Sequence, residues 1–301
     1  YKEKTKMNST KITEQQNPNS MNIDSMDIGE ILRIINNEDE KIAMAVKKAI
    51  PQIQLFVESL VGSFWNGGRL FYVGAGTSGR LGVLDASECP PTFRTNPEMV
   101  QGIIAGGDKA LKNSVEGAED SDKKGANSIM EKDVNGNDVV LGISANGNAP
   151  FIHGALIESK SRGAVTGILM CNSPMDEDYI DHVISVIVGP EVITGSTRMK
   201  AGTATKLVLN MITTTAMIKL NKTYGNLMVD LTACNDKLWD RGARIISQIT
   251  NLNYENSLKL LERADGEVKM AIVMEAIKCS KDEAKDKLNS MNGSLSQVLD
   301  H

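Results

Sequence analysis

The sequence has few of the residues from which metal centres and disulfide frameworks are built. It contains three histidines and four cysteines among 301 residues. The histidines are not spaced as ligands and the cysteines form no Cys-x-x-Cys pair, so we expect neither a metal site nor a disulfide framework. Cysteines that are far apart in a chain of this length are typical of reduced thiols in a cytoplasmic protein.

Long apolar runs and an excess of basic residues are also absent. No stretch approaches the roughly 20 apolar residues of a membrane-spanning helix. The formal net charge is -5, whereas nucleic acids and anionic membranes attract basic surfaces. We therefore expect no nucleic acid and no membrane as partner. Residues 1–20 lack the apolar region of a secretory signal, and Met7 is a candidate natural start.

What is present is a globular composition, with 41% hydrophobic and 24% charged residues. Short apolar runs alternate with helical patterns through the middle of the chain. Such runs are typical of strands buried on both faces, and their alternation with helices indicates a doubly wound α/β fold with a parallel sheet. The five predicted strands are Leu70–Val73, Val100–Ala105, Asp138–Ile143, Ala164–Met170 and His182–Val188.

These patterns divide the chain into three predicted parts. Residues 1–24 form a mobile arm, 25–225 an α/β domain with preceding helices, and 226–301 a small helical region. Three helices are expected before the first strand, of which Ser25 caps the first and Pro51 opens the third. The other helices are expected at Arg80–Glu88, Asp120–Glu131, Pro150–Arg162, Met199–Leu220 and Val229–Thr250, with three or four short ones after Tyr254.

The turn Gly74–Arg80 is the strongest candidate for a ligand-binding loop. An apolar strand runs directly into Gly-Ala-Gly-Thr-Ser-Gly, and a helix follows. Glycines permit a close approach of the backbone, and a helix N-terminus favours an anion. The loop lacks the Gly-Lys-Ser/Thr of a P-loop, and its hydroxyl pair Thr77 and Ser78 disfavours a dinucleotide. We therefore predict that Gly76, Thr77 and Ser78 bind a small anion such as a sugar phosphate.

Two further hydroxyl-rich turns follow later strands. Ser144–Pro150 contains the candidate binding residues Ser144 and Asn146, and Thr194–Lys206 opens a long helix. In the latter we expect Ser196 and Thr197 to cap the helix and bind the ligand. Arg198 and Lys206 are expected to supply positive charge. Because the carboxyl ends of parallel strands meet at one edge, the three turns predict a shared crevice.

Two carboxylates are candidates for acid–base chemistry. Glu88 precedes Cys89 and the pair Pro90-Pro91, which we expect to end its helix and to desolvate the carboxyl group. Glu119 follows the second predicted strand. Each carboxylate taken alone is more typical of a solvated surface group, so the pattern leaves their role open.

Several long motifs resemble the N-acetylmuramic acid 6-phosphate etherase family. They are the segment from Tyr72 to Phe93, Val115–Asp120, Thr194–Met211 and Gly225–Asp230, and they occur in register from about Thr13 to the C-terminus. The resemblance implies a sugar isomerase (SIS) fold with a five-stranded parallel sheet. It also implies a C-terminal part similar to a ubiquitin-associated domain from about residue 252, and a homodimer with sites near the interface.

The resemblance also implies a reaction. The family cleaves the D-lactyl ether of N-acetylmuramic acid 6-phosphate to N-acetylglucosamine 6-phosphate and D-lactate, without a metal or organic cofactor, in cell-wall sugar recycling. Its two active-site glutamates fall on Glu88, the acid that protonates lactate, and Glu119, the base at C2. The chain departs from the family in the second loop, where Asn146 and Ala149 replace a Ser-Gly-x-Thr pattern. Arg80 is a candidate partner of the lactyl carboxylate.

Two other functions remain open from the sequence. A sugar-phosphate isomerase on the same fold would also use a glutamate. A binding module similar to the glucokinase regulatory protein would hold a sugar phosphate without turnover. The presence of both Glu88 and Glu119 favours the etherase.

Overall fold

The computed structural model describes residues 11–300, and its centre is a sheet of five parallel strands in the order β2-β1-β3-β4-β5. All four strand pairings are parallel, and Leu70 is paired with both Val100 and Val139. The predicted fold class is thus confirmed, with strand bounds that differ from the expected ones by a few residues. The strands are β1 Leu70–Gly74, β2 Val100–Ile104, β3 Val139–Ile143, β4 Val165–Met170 and β5 His182–Ser185.

Helices precede, connect and follow the strands. The first seven are α1 Ile28–Lys48, α2 Ile50–Trp65, α3 Gly76–Phe93, α4 Lys109–Lys112, α5 Asp122–Glu131, α6 Pro150–Ser161 and α7 Lys200–Lys219. The others are α8 Asp236–Thr250, α9 Tyr254–Arg263, α10 Val268–Ala276, α11 Lys281–Ser290 and α12 Leu295–Leu299.

The sheet is covered by helices on both faces. Phe71 and Val73 of β1 belong to a buried cluster with Phe151 and Ile152 of α6. Tyr72, whose side chain points to the opposite face because side chains alternate along a strand, donates a hydrogen bond to Asp85 of α3 (3.0 Å). This burial on both faces explains why the strands are continuously apolar.

The N-terminal part differs from the expectation in two ways. Asp27, and not Ser25, caps the first helix through a capping box with Glu30, and α1 then continues to Lys48 as one helix instead of two. Thr13 and Ser20 are buried. The prediction of a mobile arm therefore does not describe residues 11–24, because its polar side chains find hydrogen-bond partners inside the fold. Residues 1–10, with the candidate start Met7, lie outside the described part.

The described chain divides into two compact units, 11–87 with 98–213, and 88–97 with 214–300. The second unit holds the four short helices α9–α12 and α8. Its core joins Ile246 of α8 to Leu261 of α9, Ile272 of α10 and Leu288 of α11. The later part of this second unit begins within α7. The predicted division at residue 226 and the likeness to a ubiquitin-associated domain stay predictions. No helix within residues 11–300 has the length and apolar content of a membrane span.

Candidate active site

The order of the strands positions the site. From β1 the chain moves to β2 at one edge of the sheet and returns to β3 on the other side of β1. The connections after β1 and β3 therefore diverge at this point, which leaves a crevice at the carboxyl ends of the two strands. Both connections are turns that the sequence singled out.

A cavity of about 440 Å³ lies at this crevice. Its wall combines all three predicted turns with the segment that carries Glu119. Of the predicted site residues, it brings together Gly76, Thr77, Ser78, Ser144, Asn146, Thr197 and Glu119, and it also includes Asp120, Asn148 and Gly195.

The first turn reaches the cavity at the beginning of α3. The helix begins at Gly76, two residues after β1 ends, and Gly76 has a φ of 52° that favours glycine. Gly79 packs so closely on the end of β1 that a Cβ there would lie 2.8 Å from the Gly74 carbonyl oxygen. Thr77 and Ser78 are therefore held in the first turn of α3, where backbone N–H groups and the helix dipole favour an anion.

The second turn is held by its own side chains and by α6. The Gly147 amide donates to Ser144 Oγ (3.1 Å), and the Gly147 carbonyl accepts from His153 Nε2 (2.7 Å). Nε2 therefore donates this bond, and Nδ1 lies 2.9 Å from the Tyr179 hydroxyl oxygen. These two bonds fix the turn against α6, so His153 has a structural role here.

The third turn differs from the prediction in its cap. α7 begins at Lys200, and the buried Glu191 carboxylate accepts hydrogen bonds from the Lys200 and Ala201 amides (2.9 and 3.0 Å). Ser196 and Thr197 therefore do not cap α7, because a carboxylate from the preceding segment occupies that place. Thr197 lines the cavity, whereas Ser196 is half-buried and Arg198 is exposed outside its lining.

A buried ion pair supports the start of α7. The Glu38 carboxylate of α1 accepts hydrogen bonds from Asn19, Lys41 and Lys200, the last at 2.6 Å with both side chains buried. Burial alone would raise the pKa of Glu38, but these donors outweigh it and lower the pKa to about 2. Burial raises the pKa of Glu191, although backbone amides stabilise its charge. Neither carboxylate was singled out by the sequence.

Lys206 lies on α7 beside Asp85. Its ammonium group is 3.4 Å from Asp85 Oδ1 and 2.7 Å from Asn210 Oδ1. Asp85 also accepts hydrogen bonds from the hydroxyl groups of Tyr72 and Thr213. Lys206 therefore takes part in a network between α3 and α7, and its predicted contact with a ligand stays a prediction.

The two glutamates have different positions. Glu119 lies in a 3₁₀ turn, Ala118–Asp120, and is exposed at the wall of the cavity. A neighbouring cavity of about 200 Å³ shares Glu119 and is also lined by Arg80. Arg80 Nε donates to the carbonyls of Ala110 and Leu111 (3.0 and 3.2 Å), which anchors the segment before Glu119.

Glu88 lies near the end of α3 and is exposed. The expectation that Pro90-Pro91 would end this helix and desolvate Glu88 is wrong. α3 continues through both prolines to Phe93, and the adjacent Cys89 is buried while Glu88 is not. The two prolines remove two N–H donors from the last turns of α3 without ending the helix there. Glu88 is not among the described residues that line the cavity.

Comparison with known proteins gives the family. The model of the glucokinase regulatory protein N-terminal SIS domain matches residues 52–160. A protein from Glaesserella parasuis named N-acetylmuramic acid 6-phosphate etherase is 50% identical over 95% of this chain and 94% of its own length. One with the same name from Salinibacter ruber is 49% identical over 96% and 93%. The phosphoheptose isomerase structure from Neisseria gonorrhoeae aligns with a TM-score of 0.46 at 14% identity, over 63% of this chain and 98% of that chain.

The etherase relatives match this chain over almost their full length, at an identity that far exceeds what a shared fold alone requires. The family indicated by the sequence motifs is thereby confirmed: the chain belongs to the N-acetylmuramic acid 6-phosphate etherase family.

Proposed function

We propose that the protein is a carbon–oxygen lyase that cleaves the D-lactyl ether of N-acetylmuramic acid 6-phosphate. The products are N-acetylglucosamine 6-phosphate and D-lactate, and the reaction serves the catabolism of cell-wall amino sugars in the cytoplasm. The observation that carries the proposal is the cavity at the switch point, where an anion-binding helix start and Glu119 share one wall. Family membership supplies the identity of the substrate.

The reaction is an elimination followed by an addition. In the open-chain sugar the ether oxygen is β to the C1 aldehyde, so the C2 proton is acidic. Glu119 removes this proton, the C3–O bond breaks, and Glu88 protonates the departing lactate oxygen. Water then adds to C3 of the unsaturated aldehyde, and a proton returns to C2. General acid–base catalysis of this kind contributes roughly 10²–10⁴-fold per group.

The phosphate and the sugar are held by the three turns. Ser78 and Thr77 donate hydroxyl hydrogen bonds at the start of α3, where the helix dipole adds to the attraction for a phosphate. Ser144 and Asn146 contribute from the second turn. Ser196, Thr197, Arg198 and Lys206 complete the candidate set, with Arg198 as an exposed cation that can approach a bound anion. No step requires a metal or an organic cofactor.

The exposure of Glu88 supports a homodimer in which this residue acts in the site of the partner protomer. An α-helix rises about 1.5 Å per residue, so Glu88 lies about 15 Å along α3 from Ser78. A phosphate at Ser78 and the C3 oxygen of the same sugar are closer together than that. A two-fold dimer in which the end of one α3 faces the site of its partner would supply this glutamate.

The experiment that tests the function is release of D-lactate from N-acetylmuramic acid 6-phosphate in ¹⁸O-labelled water. Elimination breaks the bond between C3 and oxygen, so the label should enter C3 of N-acetylglucosamine 6-phosphate and not the lactate. Label in the lactate would contradict the mechanism. Formation of a sugar isomer without lactate would favour an isomerase, and tight binding without product would favour a regulatory protein.

A further inference from the structure

The N-terminal strap, residues 11–20, connects three of the loops at the carboxyl end of the sheet. Asn172, after β4, accepts a hydrogen bond from the Ile12 amide (2.8 Å). The segment after β5 is held through Ser20 Oγ, which donates to the Val192 carbonyl at 2.7 Å. The second turn of the cavity, after β3, is held through Asn146. Polar residues that sequence composition assigns to an arm thus cross-link these loops.

Asn146 is the residue of the cavity wall on which three of these bonds converge. Its side-chain Oδ1 accepts from the Thr13 hydroxyl at 2.5 Å, and its Nδ2 donates to Glu14 Oε1 at 3.2 Å. Its backbone carbonyl accepts from Lys11 Nζ at 2.7 Å. Three residues of the strap therefore hold one residue that faces the cavity.

The hydrogen bonds also determine which way the Asn146 amide points. Thr13 is buried, and its hydroxyl accepts from Asn172 Nδ2 at 3.1 Å. Its single proton is therefore directed to Asn146 Oδ1, while the Glu14 carboxylate can only accept. One N–H of the Asn146 amide bonds Glu14, and among residues 11–300 the second N–H has no partner, so it can donate to a ligand. The strap thereby presents a fixed donor from the second turn.

We propose that Thr13 and Glu14 are positioning residues that hold Asn146 in the orientation in which it binds the sugar phosphate. The inference rests on the proposed function, because it assumes that the cavity takes this ligand. Without the strap the amide would rotate freely, and the ligand would have to order it on binding. Ordering one such side chain costs enough to weaken binding about tenfold.

The test measures binding and turnover separately. The Kd of N-acetylglucosamine 6-phosphate is measured by calorimetry, and KM and kcat by lactate release. We expect Glu14→Ala to raise Kd and KM about tenfold and to leave kcat within about twofold, since the carboxylate holds Asn146 and has no part in the proposed proton transfers. Glu14→Gln should restore most of the affinity, because its amide oxygen still accepts from Asn146.

A double-mutant cycle tests whether the effect passes through Asn146. In an Asn146→Ala background, Glu14→Ala should cause no further loss. The matched control is Gln16→Ala, an exposed residue of the same strap. If Glu14→Ala is poorly folded, Thr13→Val provides the test, because it keeps the volume and replaces the hydroxyl that bonds Asn146 and Asn172 with a methyl group. Full additivity with Asn146→Ala, or a fall in kcat with unchanged KM, would overturn the proposal.

The outcomes separate this inference from the proposed function. A wild-type protein that binds the sugar phosphate but releases no lactate refutes the reaction, and the coupling in Kd still decides the role of the strap. Lactate release with Glu14→Ala equal to wild type refutes the strap alone. Failure of the wild type to bind the sugar phosphate overturns both.

Discussion

The two units of the protein each contain a cavity, and the two cavities differ in the residues that line them. The larger, about 440 Å³, is walled by hydroxyl-rich turns, a helix start and Glu119. The smaller, about 240 Å³, lies in the second unit and is lined by charged side chains that bond one another. There Lys269 Nζ lies 3.2 Å from Asp230 Oδ2, and Arg94 Nη1 lies 2.5 Å from Glu267 Oε2.

This difference separates a candidate ligand site from a structural cross-link. Lys269 is buried, and its Nζ also donates to the carbonyls of Asn221 and Gly293. Burial lowers the pKa of Lys269, and the nearby Asp230 opposes that shift. Charged groups that are paired in this way stabilise the fold, and few of their hydrogen-bond donors and acceptors remain for a ligand. We therefore expect substitutions in the larger cavity to change activity and those in the smaller cavity to change stability.

The largest expected effect is that of the two glutamates. Glu119→Gln and Glu88→Gln should each lower kcat by about 10²–10⁴-fold, because each removes a proton-transfer group. Both residues are exposed, so the free energy of unfolding in urea should stay within about 0.5 kcal/mol of wild type. The matched control is Glu116→Gln, an exposed residue of the same segment as Glu119. Normal lactate release by either glutamine variant would remove that residue from the mechanism.

Mixing the two inactive variants shows which protomer supplies Glu88. If Glu88 acts across a two-fold interface, each mixed dimer has one intact site, and equal mixing restores about a quarter of wild-type activity. Refolding the variants together ensures exchange of protomers. A mixture that stays inactive, although mixed dimers are demonstrated, places both glutamates of one site in the same chain.

The next largest effect is the pH dependence from Glu38. Its pKa is lowered from 4.5 to about 2 in the folded protein. A lowered pKa gives stability that is present above about pH 4.5 and is lost as the pH falls toward 2, about 3 kcal/mol in total. Urea unfolding of wild type and Glu38→Gln from about pH 6 to about pH 3 should therefore converge at low pH. Glu40→Gln, exposed on the same helix, is the control; a constant gap for Glu38→Gln would contradict the assignment.

A smaller loss is expected at Lys269. Lys269→Met removes one partner of Asp230, which keeps Lys222 at 3.0 Å, so we expect about 2 kcal/mol lower stability. kcat/KM should be unchanged below the melting transition. Lys285→Met, exposed in the lining of the same cavity, should cost less than about 0.5 kcal/mol. If Lys269→Met instead lowered activity at full stability, the smaller cavity would be a functional site and the contrast between the units would fail.

Much of the fold and part of the candidate site can be predicted from the sequence. The strands and the three turns can be predicted from local patterns, because each apolar run and each glycine-rich helix start is complete within a few consecutive residues. Such patterns are sufficient to place Ser78, Ser144 and Thr197 at one crevice, and the structure finds all three in the wall of the larger cavity. They also indicate Glu119, whose segment follows β2 and lines the same cavity.

What the sequence could not predict depends on hydrogen bonds between distant residues. Thr13 and Ser20 look like parts of a solvated arm, yet they bond Asn146 and the Val192 carbonyl, far along the chain. Glu191 caps α7 from outside the helix, so no capping pattern marks it. The exposure of Glu88 could not be predicted either, because it depends on which face of α3 packs against the rest of the fold.

The smallest effect tests the proposed anion-binding turn, Gly74–Arg80. Ser78 is half-buried in the first turn of α3 and lines the larger cavity. Ser78→Ala should raise KM about tenfold, equivalent to about 1.4 kcal/mol, because one hydroxyl bond to the phosphate is lost while the helix N-terminus remains. kcat should stay nearly constant, since the proposed proton transfers are assigned to the two glutamates. The control is Ser161→Ala, which removes an exposed hydroxyl at the end of α6. An unchanged KM for Ser78→Ala would mean that backbone amides alone hold the phosphate. Ligand binding in the larger cavity would then depend on the backbone of the turn and not on its hydroxyl side chains.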